Sequence, residues 1–196
     1  MSWSEGMVAE ISARRHRFKM TRMGVPRGYF GARFNHLRTH TPQYMAALRK
    51  VRGWDPAEQW ALVLSGQSGV GKSFLATAKF LELDHPGAKW VGCSSLALQS
   101  TERGSGMDAY RRYVRATVLL VDDLGTSSHD RVKDLICERY DHRRTTLFTT
   151  NMNAALCQEW DDRCAVRLFG DSEALHINME GPGFPDLRKQ REKKDG

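Results

Sequence analysis

In the stretch LVLSGQSGVGKSFLATAKF (62–80), Gly66 is followed by four residues and then by Gly71-Lys72-Ser73. This is the spacing of a phosphate-binding loop. Its glycines let successive backbone N–H groups turn inward around phosphate oxygens, and a helix opening at the lysine directs its positive end at the same point. In such a loop Lys72 reaches the β- and γ-phosphates, and the Ser73 hydroxyl takes one Mg²⁺ position. Gly66, Gln67, Ser68, Gly69, Val70, Gly71, Lys72 and Ser73 are therefore the candidate nucleotide-binding residues. ATP and Mg²⁺ are the implied ligands.

Fifty residues beyond Lys72, VLLVDDLG (118–125) is an apolar run ending in two carboxylates. Asp122 is placed to order Mg²⁺ and Asp123 to polarise an attacking water. An aspartate at the second position has a shorter reach than a glutamate, so slow hydrolysis is expected. LFTTN (147–151) ends on Asn151, which can hold the attacking water, with Thr150 beside it. In DDRCAVRLFGD (161–171), Arg163 and Arg167 are four apart and share a helix face. An exposed arginine here can enter a neighbouring subunit's nucleotide site and stabilise charge on the γ-phosphate. Plainer roles stay open for each. The aspartates can cap a helix or line a loop, Asn151 can form a turn, and either arginine can pair locally with Asp161, Asp162 or Asp171.

These residues need elements to position them. Apolar runs at 60–66, 89–95, 116–125, 145–151 and 173–180 read as strands. Helices are predicted over 41–51, 73–83, 130–144 and 154–170, and one or two helical pieces over 94–114, with GSG (104–106) as a flexible joint. Thr41 is suited to cap the helix at 41–51, whose Tyr44, Leu48 and Val51 share one face. Strands that are near-continuous apolar runs and alternate with helices imply a five-stranded parallel sheet covered on both faces. Such a sheet binds its ligand at the carboxyl ends of its strands, where every motif above falls.

The chain has 196 residues, enough for one α/β domain, and a net charge of +7. Its charge is uneven. Between Glu10 and Asp55 no acidic residue occurs, while eleven Lys and Arg do, from Arg14 to Arg52. A basic block before a near-neutral domain points to a polyanion, nucleic acid above all. A merely solvated arm and an anionic membrane are the alternatives, and the missing amphipathic face weighs against the membrane. No run approaches the ~18 apolar residues of a membrane span. Cys93, Cys137, Cys157 and Cys164 form no C-x-x-C pair and read as reduced thiols of a cytoplasmic protein. The expected organisation is a basic arm (1–24), an ATPase domain (25–183) and a polar basic tail (184–196). Within 96–115, Arg103, Arg111, Arg112 and Arg115 are placed to track phosphates, and Tyr110 or Tyr113 to stack a base or to pack in the core.

VPRGYFGARF, GQSGVGKSFLATA, VLLVDDLG, CERYDHRRTTLFTTNM and DDRCAVRLFGD follow one another as in the AAA+ ATPases of the DnaC/IstB group, which the chain resembles over roughly residues 24–180. RYDHRRTTLFTTN is the most specific part. The resemblance implies a P-loop three-layer sandwich with a reduced or absent helical lid. It also implies ATP at Gly66 to Ser73, Asp122 and Asp123 as the Walker B pair, Asn151 as sensor 1, Arg167 as a finger acting in trans, and Gly28 to Phe34 beside the adenine. The implied function is an ATPase of helicase-loader type that assembles into homo-oligomers, favours single-stranded DNA and acts on a replicative helicase. The alternative is a transposition helper that serves a transposase on duplex DNA. A small-molecule kinase lacks support because no Arg-rich lid insertion is present. A binding-only module without turnover is the remaining class.

Overall fold

The computed structural model describes residues 5–37, 41–170 and 172–188. Strand β1 (Ala61–Gly66) is buried at every position and lies inside an all-parallel sheet with β2 (Lys89–Gly92), β3 (Leu119–Leu124), β4 (Thr146–Thr150) and β5 (Ala174–Met179). The strand order is β2-β3-β4-β1-β5. Alternate residues feed two cores, as the period of two requires. Ala61, Val63, Leu119, Val121 and Phe148 face one side, where α4 (Cys93–Thr101), α5 (Gly106–Val114), α6 (Asp130–Asp141) and α8 (Asp162–Ala165) pack. Leu62, Leu64, Leu120, Leu147 and Ile177 face the other, under α2 (Pro42–Gly53) and α3 (Lys72–Leu83). The three-layer parallel sandwich expected from the sequence is therefore observed. Among the described residues, no helix is long and apolar enough to cross a membrane.

Local chemistry sets the element ends. Thr41 caps α2, its hydroxyl accepting the Tyr44 N–H at 3.3 Å, and Tyr44, Leu48 and Val51 are buried as their spacing predicts. Most of the basic arm forms a helix, α1 (Glu5–Met23). Its last turns dock on the domain through Met20 and Met23, while residues 6–15 are exposed. Gly92 ends β2, so Cys93 and Ser94 open α4 instead of extending the strand. β3 begins at Leu119, not at 116, because the Ala116 carbonyl is held by Arg139 and the Thr117 hydroxyl by the Pro86 carbonyl. The helix predicted over 154–170 is broken. Asp161 is extended (φ −169°), ends α7 (Ala154–Trp160), and caps α8 by accepting the Cys164 N–H at 3.0 Å; a π-helical turn, Val166–Gly170, follows.

Arg139, on α6, is 0% exposed. Its guanidinium donates to the carbonyls of Tyr113, Val114 and Ala116 at 2.8–3.0 Å, to the Thr145 carbonyl at 2.6 Å and to the Thr146 hydroxyl at 2.8 Å. The first three surround the end of α5, whose last carbonyls lack helical partners and carry the negative pole of the helix. Burial pushes the Arg139 pKa down to about 9, with the neighbouring Arg144 adding to the shift, so the group stays charged at neutral pH. Arg139→Ala would orphan these acceptors inside the core. The expected loss is about 3–5 kcal/mol, read as a lower urea midpoint. Arg139→Lys should recover only part of it, because an ammonium cannot span acceptors on three elements.

Candidate nucleotide-binding site

Three motifs far apart in sequence meet at the carboxyl ends of β1, β3 and β4. Lys72 opens α3 and is 5% exposed. Its ammonium donates to the carbonyls of Gly66 and Gln67 and to Oδ1 of Asn151, each at 2.8 Å. Burial lowers its pKa, opposed by the charges of Asp123, Asp122 and Glu180. The lysine is therefore held at the loop mouth by neutral oxygens, and a phosphate would offer it charged ones.

Gly71 shows why the loop needs glycine. Its φ is +92°, and a Cβ there would lie 2.9 Å from the Tyr44 hydroxyl and 3.0 Å from the Leu187 side chain. Among the described residues the buried Tyr44 hydroxyl has no hydrogen-bond partner, and burial raises its pKa.

Asp122 is 6% exposed and accepts the Thr149 hydroxyl at 2.6 Å. Burial raises its pKa; hydrogen bonds from Thr149 and Ser73 pull the other way. Asp123 differs completely. Its side chain is exposed, its backbone is left-handed (φ +55°), and the β3–β4 register shifts between Val121 and Leu124. The irregularity turns the second carboxylate toward solvent while the first stays inside. Thr149 couples the two, because its hydroxyl also accepts the Asp123 N–H at 2.9 Å.

Among the described residues no cluster of three or more His, Cys, Asp or Glu could hold a metal ion. Mg²⁺ does not need one, since it is commonly bound by one or two carboxylates with phosphate and water completing the shell. A buried carboxylate whose pKa is pulled down by the nearby Ser73 hydroxyl fits that requirement.

The structure brings Gly66 to Ser73, Asp122, Asp123 and Asn151 together. Arg167 is elsewhere. It donates to the Arg163 carbonyl at 3.0 Å, lies 3.8 Å from an Asp141 carboxylate oxygen, and stacks on Tyr140 with 4.8 Å from guanidinium carbon to ring centre. Asp141 closes α6 just before the amino end of β4, so Arg167 sits at the opposite end of the sheet from its own loop. Arg163 pairs with Asp161 at 3.2 Å, the local alternative seen in the sequence; Asp171 lies outside the described residues. Neither Tyr110 nor Tyr113 is available to stack a base. Both are buried, donating to Glu138 at 2.8 Å and Gln99 at 2.7 Å, because they lie on the core face of α5.

Sequence reasoning missed two residues, Thr149 and Arg188, and named Tyr29 only within the Gly28–Phe34 lead-in. Thr149 gives no signal beyond its place in an apolar strand. Tyr29, in the lead-in, packs beside Trp90 at 6.3 Å between ring centres; burial raises its pKa, as do the charges of Asp122 and Asp123, while the nearby Ser73 hydroxyl lowers it. Arg188, expected in a tail without a role, lies against the loop. The Leu187 N–H donates to the Gly69 carbonyl at 3.0 Å, Gln67 donates to the Phe184 carbonyl at 2.8 Å, and the Arg188 charge is felt by Lys72. The turn residues GPGFP (181–185), which send the chain back to the loop, were the available signal. Residues 189–196 of that tail lie outside the described residues.

A five-stranded parallel sheet with this loop between β1 and α3 is the arrangement of a P-loop nucleotide-binding fold. Solved structures share the fold. The DnaC helicase loader superposes with a TM-score of 0.59 at 20% identity, covering 78% of this chain and 99% of that one. DnaI gives 0.64 at 21%, covering 82% and 94%. The replication initiator DnaA bound to AMPPCP and single-stranded DNA gives 0.58 at 15%, covering 83% of this chain and 55% of that one. No family model and no curated protein matches the sequence.

Thr149→Val removes the hydroxyl that serves both aspartates. It should weaken Mg²⁺-dependent nucleotide binding by about 10- to 100-fold and leave Mg²⁺-free binding near the wild type, as measured by titration calorimetry.

Proposed function

We propose that the protein is an ATP-dependent DNA-replication ATPase of helicase-loader type. The observation that carries the reading is the hydrogen bond between the phosphate-loop lysine and the strand-tip amide of Asn151, beside a buried carboxylate held by the Thr149 hydroxyl. That arrangement has a purpose if a polyphosphate is to lie among these groups and a water is to be aimed at its end. The fold it shares with the DnaC loader, across nearly all of that chain, supports the same assignment.

Lys72 leaves the Gly66 and Gln67 carbonyls and binds the β- and γ-phosphate oxygens, with the loop N–H groups around them. Ser73 and Asp122 hold Mg²⁺, which when bound neutralises charge on the phosphates. Asn151 orients the attacking water, and Asp123, open to solvent, accepts its proton. Arg167 of one subunit acts on the nucleotide of the next, so that assembly and hydrolysis are coupled. The basic block from Arg14 to Arg52 supports a nucleic-acid partner, and the single strand held by the DnaA neighbour supports a preference for that form.

Lys72→Ala should abolish ATP binding. Arg167→Ala should retain ATP binding but lose the rise in turnover that comes with assembly; an undiminished rise removes Arg167 from the finger role. Binding to matched single- and double-stranded oligonucleotides, with ATP and with ADP, tests the partner. ATP-dependent coating of duplex in place of single strands would move the protein to the transposition-helper class.

A further inference from the structure

Where α1 docks on the domain, a cavity of ≈320 Å³ opens between its last turns and the loop leading into β2. Its floor is mostly apolar, with Met23, Pro86 and Ala88, and Phe18 stands at its edge with 69% exposure. Its rim is basic, with Lys19, Arg22 and Lys89. Lys19 pairs with Asp84. Among the described residues no carboxylate pairs with Arg22 or Lys89. Lys89 uses its ammonium on the Arg22 carbonyl at 3.0 Å, which brings the two cations into one place. Burial lowers the Lys89 pKa, and the charges of Arg112 and Arg22 add to the shift. Arg22 and Lys89, like charges gathered at the hollow and paired with no carboxylate among the described residues, repel one another, and a bound anion relieves that repulsion.

Two features narrow the class of anion. The first is the large exposed ring beside an apolar hollow, which suits a flat, unpaired base. Duplex keeps its bases stacked inside and offers mainly phosphate to such a surface. The second is position. Lys89 begins β2, so the cavity lies at the amino ends of the strands, while the phosphate loop follows the carboxyl end of β1. It is therefore separate from the nucleotide site.

We propose that this cavity binds a nucleotide unit of single-stranded nucleic acid, with the base stacked on Phe18 over Met23 and Ala88 and the flanking phosphates on Arg22 and Lys89. The proposal rests on the nucleic-acid partner inferred above and replaces the tyrosines of α5, which the core has taken, as the stacking residues. It also gives the docked end of α1 a task that a solvated arm would not have.

The test is fluorescence anisotropy of a labelled 20-nucleotide dT strand on the full chain, without nucleotide and with ATP, at two salt concentrations. Phe18→Ala should weaken binding about tenfold or more, and Phe18→Tyr should restore it. Arg22→Ala and Lys89→Ala should each flatten the dependence of log K on log salt by about 0.7. Phe18 is exposed, so its variants should fold, which their melting curves would verify. Free dTMP should compete far less well than the strand; equal competition would assign the cavity to mononucleotides and overturn the strand proposal. Wild type that binds the strand while Phe18→Ala binds equally well overturns this site and leaves the ATPase reading standing. Wild type that binds no strand in either state overturns this site and the DNA arm of the proposed function together.

Discussion

A single guanidinium, with no carboxylate paired to it among the described residues, holds the middle of this domain in register. Arg139 takes the end of α5 with one side and the start of β4 with the other. The Thr145 carbonyl it binds also accepts the Leu119 N–H, so the amino ends of β3 and β4 are fixed relative to each other. Strands that start in register arrive in register. A few residues later Asp122 meets Thr149, and Asn151 meets Lys72. The charge is tolerable inside only because oxygens surround it, including the negative pole of a helix. The geometry of the site is thus set in large part at the far end of the strands.

Much of this was legible in the sequence, for physical reasons. A phosphate loop needs its glycines at fixed spacing, and a strand buried on both faces needs a continuous apolar run, so Gly66 to Ser73 and VLLVDD declare themselves. Asn151 could be read from its place at a strand tip. What stayed hidden depends on tertiary contact. Nothing in the spelling of RYDHRR separates the buried Arg139 from Arg143 and Arg144 beside it. Tyr110 and Tyr113 have the composition of a stacking platform, and only the packing of α5 shows that both face inward. The break at Asp161 was missed because an aspartate inside a helical pattern looks like a surface residue until its carboxylate is seen capping α8.

The site as it stands is arranged around its own lysine. The Gly66 and Gln67 carbonyls and the Asn151 amide occupy the ammonium with neutral acceptors, a weaker hold than phosphate oxygens would have. The chain from Phe184 to Arg188 lies along the outer side of the same loop. Groups from α2, from the lead-in and from the returning chain all converge on a few glycines. The loop's shape is therefore supported from several directions, and it does not rely on the ligand to create it.

The approach of α1 to the sheet has a consequence for solubility. β2 is an edge strand, and an open edge is a template for pairing with another chain. Here the backbone at Gly24, with φ +86°, passes so close to the Trp90 carbonyl that any side chain at that position would collide with it. Lys89 fastens the neighbouring Arg22 carbonyl to the same edge. The end of the basic helix thus covers one margin of the sheet, guarding it against edge-to-edge aggregation.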